Sequence, residues 1–406
     1  MNPLPTLPAT FYERSEPLTH IRRAAQSRQV PPDTVLGALL CRLSAIVPPT
    51  TRVNHDSPNY FVALVGGSGA GKSTAKDIAH ELLPAIGTEI DDLPVSSGEG
   101  LVQAYLETEK IDGRIVQRQA HTAGLFYVDE GQQLLPQADR QGSTTFALLR
   151  TLWAGQMAGT TGARVETTRR LQSGRYRIAL TVGFQPDYAA TLLDDHHAGT
   201  PQRFLWVAAR DPQAPITLPR WPGPLPMPTV ISGAITIDDQ IQRQIDRARR
   251  QVLIDGGHEN PLRSHETRLT LRTAYLLAVL HGRPGRLDAD DWIAGLELVE
   301  HSRSVIAGLQ QIASDRRQAK NAERDREQVD RHHHRAELHE RKTIERIAAN
   351  LHRRLRSDGP RRAPELRRDV AYRDRDHFDE AVRYGVETGL VAIDSEGRLI
   401  AGPVTP

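Results

Sequence analysis

Residues 62–83 read VALVGGSGAGKSTAKDIAHELL. Apolar residues lead into a run of glycines, and a lysine–serine pair then opens an amphipathic stretch. Gly66-Gly67-Ser68-Gly69-Ala70-Gly71-Lys72-Ser73 fits the spacing GxxxxGK[ST] in full. Glycines at these positions let backbone N–H groups curl around phosphate oxygens, and the helix that follows adds its positive N-terminal end. Lys72 is the residue expected to reach the β- and γ-phosphates, and the Ser73 hydroxyl is expected to hold Mg²⁺. Gly66 to Thr74 are therefore the expected nucleotide-binding residues, with ATP and Mg²⁺ as ligands. The order strand, glycine loop, helix is the context this motif requires. The loop alone does not say what the phosphate chemistry is for, since a motor, a switch and a phosphotransferase all use it.

Working outward, residues 17–47 carry a helical apolar pattern through Val35, Leu36, Leu39, Leu40, Leu43 and Ile46, ended by PPT. Beyond the loop, GLFYVDE (124–130), YRIALTVGF (176–184) and RFLWVAAR (203–210) read as strands, with helical segments such as TTFALLRTLWAG between them. Short apolar runs alternating with helices predict a parallel sheet covered on both faces. The proline-rich run DPQAPITLPRWPGPLPMP marks a boundary, and amphipathic helices follow it. Residues 314–342 are charged throughout and read as a solvated helix or linker. The C-terminal stretch re-forms a small core. TIERIAANLHRRL, APELRRDV and HFDEAVRYGVETGL read as three short helices, and LVAIDSEGRLIAG as a hairpin turning at Ser395-Glu396-Gly397. Three helices and a hairpin predict a winged helix-turn-helix.

The expected fold class is α/β, a P-loop NTPase parallel sheet with an N-terminal helical segment, a helical lid and the winged helix-turn-helix. The expected divisions are 1–55 for the N-terminal helices, 56–215 for the ATPase core, 216–313 for the lid, 314–340 for the charged helical linker and 341–406 for the winged helix.

Composition narrows the class. With 406 residues, 38% hydrophobic and 25% charged, the chain is expected to be a soluble protein of two or three domains. No run of about 18 apolar residues appears, so no membrane span is expected. The N-terminus lacks a basic-then-apolar pattern, so it is not read as a signal peptide. The single Cys41 lies in LGALLCRLSAIV and reads as a buried small hydrophobe in a reducing cytoplasm. A formal charge of +2 does not by itself imply a nucleic-acid partner. Residues 301–406 hold 22 basic against 18 acidic side chains, a mild tilt toward an anionic partner.

A triphosphate site needs a carboxylate at the tip of a buried strand. GLFYVDE supplies Asp129 for the metal shell and Glu130 as the general base for water. A rival base is Glu99 in LPVSSGEGLVQAYL, at a strand-to-helix junction after the loop helix. Glu130 has the stronger local pattern, and Glu99 equally suits a pore lining or a helix cap. Gln185, in TVGFQPDY, stands where a polar sensor would touch the γ-phosphate or the attacking water, or where a turn needs a polar residue. Arg203 directly precedes a strand at the expected domain edge, where a ring would present it to a neighbour's nucleotide as an arginine finger. Arg268 and Arg272 are poorer candidates for a second sensor. His332, His333 and His334 point in different directions on a helix and complete no metal site.

The order of GGSGAGKST, SSGEGL, FYVDEG, TVGFQP and QRFLWV, followed by a lid and a winged helix, resembles a known group. These are the helicase-like P-loop ATPases (AAA+/RecA-type) of actinobacterial phages, plasmids and integrative elements, often the C-terminal half of primase–helicase polypeptides. The resemblance covers roughly residues 15–400. Arg203 in QRFLWV is also similar to the SRF finger of minichromosome-maintenance helicases. In RecA-like motors the activating glutamate sits where Glu99 does, and in AAA+ proteins where Glu130 does. No primase-polymerase segment is read ahead of the ATPase in this sequence, a departure from the fused form, so priming is expected to come from a separate primase or polymerase.

The resemblance implies a ring-forming, ATP-driven DNA translocase or helicase for a mobile element. It would be a homo-oligomer, with a hexamer as the expected ring, threading single-stranded DNA. The alternative is a replication initiator or helicase loader that binds duplex DNA through the winged helix, with ATP as an assembly switch. Arg383 and Tyr384 on the third helix and Arg398 on the wing are then the DNA-binding residues. That helix also carries Asp376, Asp379 and Glu380, so protein docking stands beside DNA binding. A kinase is disfavoured because no acceptor site is visible.

Overall fold

The protein is described from a computed structural model covering residues 4–84, 90–95, 97–111, 114–133, 145–160, 168–193, 199–257 and 260–404. Two compact units divide between Ser314 and Asp315. The first contains the expected N-terminal, ATPase and lid segments, which together build two hydrophobic cores.

The chain enters through helices α1 (Ala9–Tyr12), α2 (Glu16–Ser27) and α3 (Pro32–Ile46). The run expected as one helix over 17–47 is split, because Pro31 and Pro32 cannot donate to a preceding turn and serve instead to open α3. Then follow β1 (Tyr60–Val65), α4 (Lys72–Leu82), β2 (Ile90–Pro94), α5 (Gly98–Gln103), a hairpin of β3 (Leu106–Ile111) and β4 (Arg114–Gln119), and β5 (Ala123–Val128). Next come α6 (Thr145–Trp153), a hairpin of β6 (Ala158–Thr160) and β7 (Arg169–Leu171), β8 (Arg177–Phe184), α7 (Pro186–Leu193) and β9 (Phe204–Ala208). A two-stranded pair, β10 (Thr236–Ile237) with β11 (Arg286–Leu287), flanks α8 (Asp239–Asp255) and α9 (Glu266–Leu280).

The central sheet has the order β2-β5-β8-β1-β9, with every pair parallel. The predicted α/β class with a parallel sheet is thus present. Side chains alternate between two cores with period 2. Tyr60, Val62 and Leu64 enter the core formed with α2, α3, α4 and α9, and Phe61, Ala63 and Val65 enter the one formed with α5, α6 and α7. Tyr60 and Phe61 on β1 and Trp206 on the neighbouring β9 are fully buried, as is Phe126 on β5. An aromatic of that size removes about 150–250 Å² from water, so the strands under the glycine loop sit in the costliest part of the molecule to disturb.

Buried arginines stitch the layers. Arg42 on α3 donates from Nε to the Leu83 carbonyl and forks onto Asp91 at 2.7 and 3.0 Å, joining α4 to β2. Such a bidentate pair fixes angle as well as distance.

Helix α10 (Ala289–Asp358) runs for 70 residues. No Gly or Pro interrupts it after Gly308, and Gly359 at φ +79 followed by Pro360 ends it. The expected linker over 314–340 is therefore continuous helix, exposed from Asp315 to Lys342. In the second unit the end of α10 packs with α11 (Ala363–Asp369), α12 (Phe378–Glu387) and the antiparallel hairpin β12 (Val391–Ile393) with β13 (Leu399–Ala401). The hairpin turns as expected, with Asp394 Oδ1 accepting from the amides of Glu396 and Arg398. Among the described residues, no helix is long and apolar enough to cross a membrane.

Candidate nucleotide-binding site

The loop Gly66–Gly71 leaves the carboxyl end of β1, which lies between β8 and β9. The amide of Gly66 donates to Phe184 O, tying the loop's start to the end of β8. A side chain at 66 would meet Ala209 Cβ at 2.5 Å, so glycine is required there by space. Gly71 is required by conformation, since it caps α4 at φ 78 in the left-handed region. Beyond it the first turn of α4 presents Lys72, Ser73 and Thr74. Lys72 Nζ donates to the carbonyls of Gly66 and Gly67, both at 2.8 Å. Partial burial presses the Lys72 ammonium below its ordinary pKa, against the pull of Asp129 and Glu130.

Strands β5 and β8 end beside the loop. A cleft of about 220 Å³ is lined by the loop, by Lys72, Ser73 and Thr74, by Asp129 and Glu130, and by Gly183 and Gln185. Ligand crevices outside the carboxyl ends of strands are the rule for open parallel sheets. Asp129 and Glu130 are exposed at the tip of β5. Tyr127 Oη donates to Asp129 Oδ1 at 2.7 Å, and Gln132 Nε2 donates to Glu130 Oε2 at 2.5 Å. Gln185 follows β8, and its carbonyl caps α7 by accepting from the amides of Tyr188 and Ala189. Its backbone is thus fixed at the edge of the cleft by a helix start.

Two shaping residues escaped the sequence reading. Gly183 is buried in β8, and a Cβ there would lie 2.4 Å from Asp129 O. A glycine inside the apolar run ALTVGF is the mark of such close backbone approach. Tyr127 stands two residues before Asp129, so period 2 on a strand puts both on one side.

The other expected site residues lie elsewhere. Glu99 is exposed on the first turn of α5 and lines a separate cavity with Val102, Thr151 and Arg169. Arg203 precedes β9, whose Phe204 pairs with Phe61 near the start of β1, whereas the glycine loop follows Val65. At about 3.3 Å per residue that separation is about 15 Å along the strand. Arg203 Nη1 donates to the Gly199 carbonyl and its guanidinium covers the Trp153 ring at 5.5 Å. Arg268 and Arg272 cover the same indole at 5.0 and 3.5 Å. Arg268 forks onto Asp56, and Arg272 is fully buried, donating to the Asn59 and Trp153 carbonyls. Neither lines the cleft. His265 packs against the same ring, and burial together with those guanidiniums pushes its pKa down to about 3. In the second unit Arg383 is exposed and Tyr384 half-buried against the core, while Arg398 is held by Asp394 at 2.8 Å and Glu396 at 3.0 Å. His332, His333 and His334 are exposed on α10 and form no metal-ligand cluster among the described residues.

Scanned against models of known families and against curated protein sequences, the chain matches none.

Proposed function

We propose that the cleft is a P-loop that binds and hydrolyses ATP, and that the protein is an ATP-dependent DNA translocase or helicase of a phage or mobile-element replication system. The observation that carries this reading is the convergence of Lys72, Ser73, Asp129, Glu130 and Gln185 on one cleft from three strand ends. Amides of the glycine loop and the N-terminal end of α4 receive the phosphates. Lys72 moves from its own loop carbonyls to the β- and γ-oxygens. Ser73 and Asp129 fit a hard oxygen-seeking cation, and Mg²⁺ held by them would neutralise charge on the phosphates. Glu130, set beside Asp129 and steadied by Gln132, takes the proton of the attacking water. Gln185 orients that water or the γ-phosphate.

Arg203 cannot serve its own cleft from the far end of β1, so a finger role requires a second copy of the chain. The ring with hydrolysis between subunits, a hexamer being the expected size, is what the resemblance implies, and the placement of Arg203 is compatible with it. The second unit, with three helices and a hairpin, supports a winged helix-turn-helix assignment, and it is the feature that favours the second reading. In that reading the protein is a replication initiator or helicase loader, with ATP as an assembly switch.

One comparison separates these readings. ATP turnover by the full chain is measured with no nucleic acid, with a single-stranded oligonucleotide and with a duplex. A motor is expected to show turnover stimulated about tenfold or more by any single strand, with little sequence preference. Tight binding of one duplex sequence without stimulation supports the initiator. No turnover under any of the three conditions, with no duplex sequence bound tightly, contradicts both.

A further inference from the structure

The second unit carries its charge unevenly. From Thr343 to Arg375 there are ten arginines against five acidic residues, and from Asp376 to Pro406 two arginines against six. The basic half builds a groove of about 450 Å³ between the end of α10 and the segment 366–374. Arg346, Asn350 and Arg353 recur at i, i+4 and i+7 along its α10 wall, the spacing that lines one helical face. Arg373 and the backbone around Ala371 form the opposite wall, and Leu351 and Leu366 lie beneath.

Some of these arginines are fixed in place by carboxylates. Arg346 pairs with Asp374 at 2.6 Å, and Arg354 pairs with Asp369. A surplus remains: Arg353 on the groove wall, and Arg356, Arg362 and Arg368 near it in the chain but outside its lining, are exposed with no carboxylate at ion-pair distance among the described residues. Beside the groove stands Tyr372, 86% exposed, with the Arg375 guanidinium 5.7 Å from its ring. An exposed aromatic ring with a guanidinium beside it, next to a groove with arginine on its wall, is the combination on which an unpaired base stacks while its phosphates are neutralised. The face expected to bind DNA has the opposite character. Helix α12 sets Asp379, Glu380 and Glu387 against Arg383 alone, and Arg398 is already spent on Asp394 and Glu396. Phosphates are repelled by such a surface.

We infer that the second unit holds a single nucleic-acid strand along the groove between α10 and α11, with phosphates on the surplus arginines and a base on Tyr372, and not through α12 and the hairpin. This rests on the DNA-handling reading of the whole chain and names the strand-binding surface for it.

The test is fluorescence anisotropy of a labelled single-stranded oligonucleotide titrated with the full chain over a range of salt. Arg353→Glu with Arg356→Glu is expected to weaken binding about tenfold or more, and to flatten the log–log salt dependence by about 1.4. Both side chains are exposed, so their replacement leaves no buried group unpaired. The charge-keeping pair Arg353→Lys with Arg356→Lys is expected to retain most of the affinity. Tyr372→Ala is expected to cost about fivefold or more, the worth of one stacked base. Arg383→Glu is expected to leave affinity within about twofold. Loss on Arg383→Glu with the groove variants unaffected would overturn the groove while leaving the DNA-handling reading intact. Preference for duplex with Tyr372→Ala silent would overturn the single-strand assignment. A wild-type chain that binds neither form would remove the reading on which the inference rests.

Discussion

Replacing Glu130 by Gln is expected to slow ATP hydrolysis about 10²–10³-fold while leaving ATP affinity within about threefold. Gln keeps the shape and one acceptor oxygen of Glu130, but it cannot take a proton from water. The loss therefore falls on the chemical step, as expected for a positioned general base. The position is specific. Glu130 is exposed at the tip of β5, its Oε2 accepts from Gln132, and it shares the cleft with Lys72 and Asp129. Glu99→Gln supplies the internal contrast, because Glu99 lines a different cavity on α5. It is expected to change turnover less than about twofold. Single-turnover hydrolysis and nucleotide titration of both variants check this. A reversed pattern would move the base to Glu99.

The second large effect is on stability. Arg177→Met is expected to destabilise the first unit by about 3–5 kcal/mol. Arg177 opens β8 and is fully buried. Its guanidinium donates to the Val47 and Pro48 carbonyls at 3.1 and 2.6 Å, to Ser57 Oγ at 2.5 Å and to Asn59 Oδ1 at 3.0 Å. No carboxylate accepts from it in this network. Burial, with Arg52 nearby, presses its pKa down to about 9, still on the charged side at neutral pH. Methionine removes the cost of burying that charge, but it deletes four bonds at once and leaves the Val47 carbonyl without its donor. Pro48 O keeps the Thr51 amide, and Asn59 Oδ1 keeps the Ile178 amide and Ser57 Oγ. Stranded groups outweigh a relieved desolvation when no replacement donor can enter. The connection from α3 to β1 is the segment these bonds pin, so its loss propagates to the strand under the glycine loop. Chemical denaturation of the full chain, read at the first unit's transition, measures the effect. A loss below about 1 kcal/mol would show that the charge costs as much as its bonds return.

The parts of this molecule that could be read from the chain are those where one local requirement dominates. Gly66 and Gly71 announce themselves because space at one and a left-handed backbone at the other admit nothing larger. β1, β5, β8 and β9 are apolar runs because both faces of a parallel sheet are covered. β2 was hidden because IDDLP breaks the apolar run, with Asp91 spent on Arg42 and Asp92 at a positive φ of 53. The hairpins β3–β4 and β6–β7 were missed because LETEKI, RIVQRQ and RRL have no buried face long enough to impose a period. Residues 314–342 could not be divided between helix and linker, because a helix exposed all round has no apolar stripe to announce it. In the cleft, Asp129 and Glu130 were legible from the four residues before them. The distance between Arg203 and its own cleft was not, because it depends on the register of β9 against β1. The charge contrast between α12 and the α10–α11 groove was written in the sequence. Its meaning needed the fold, which shows which arginines are already held by carboxylates.

The most direct test of the central claim is calorimetric titration of the full chain with a non-hydrolysable ATP analogue and Mg²⁺. One site per chain is predicted, with Lys72→Ala weakening it about thirtyfold or more through loss of the charge-assisted contact to the phosphates. Absence of binding, or equal binding by wild type and Lys72→Ala, would contradict the assignment of this cleft to a nucleoside triphosphate.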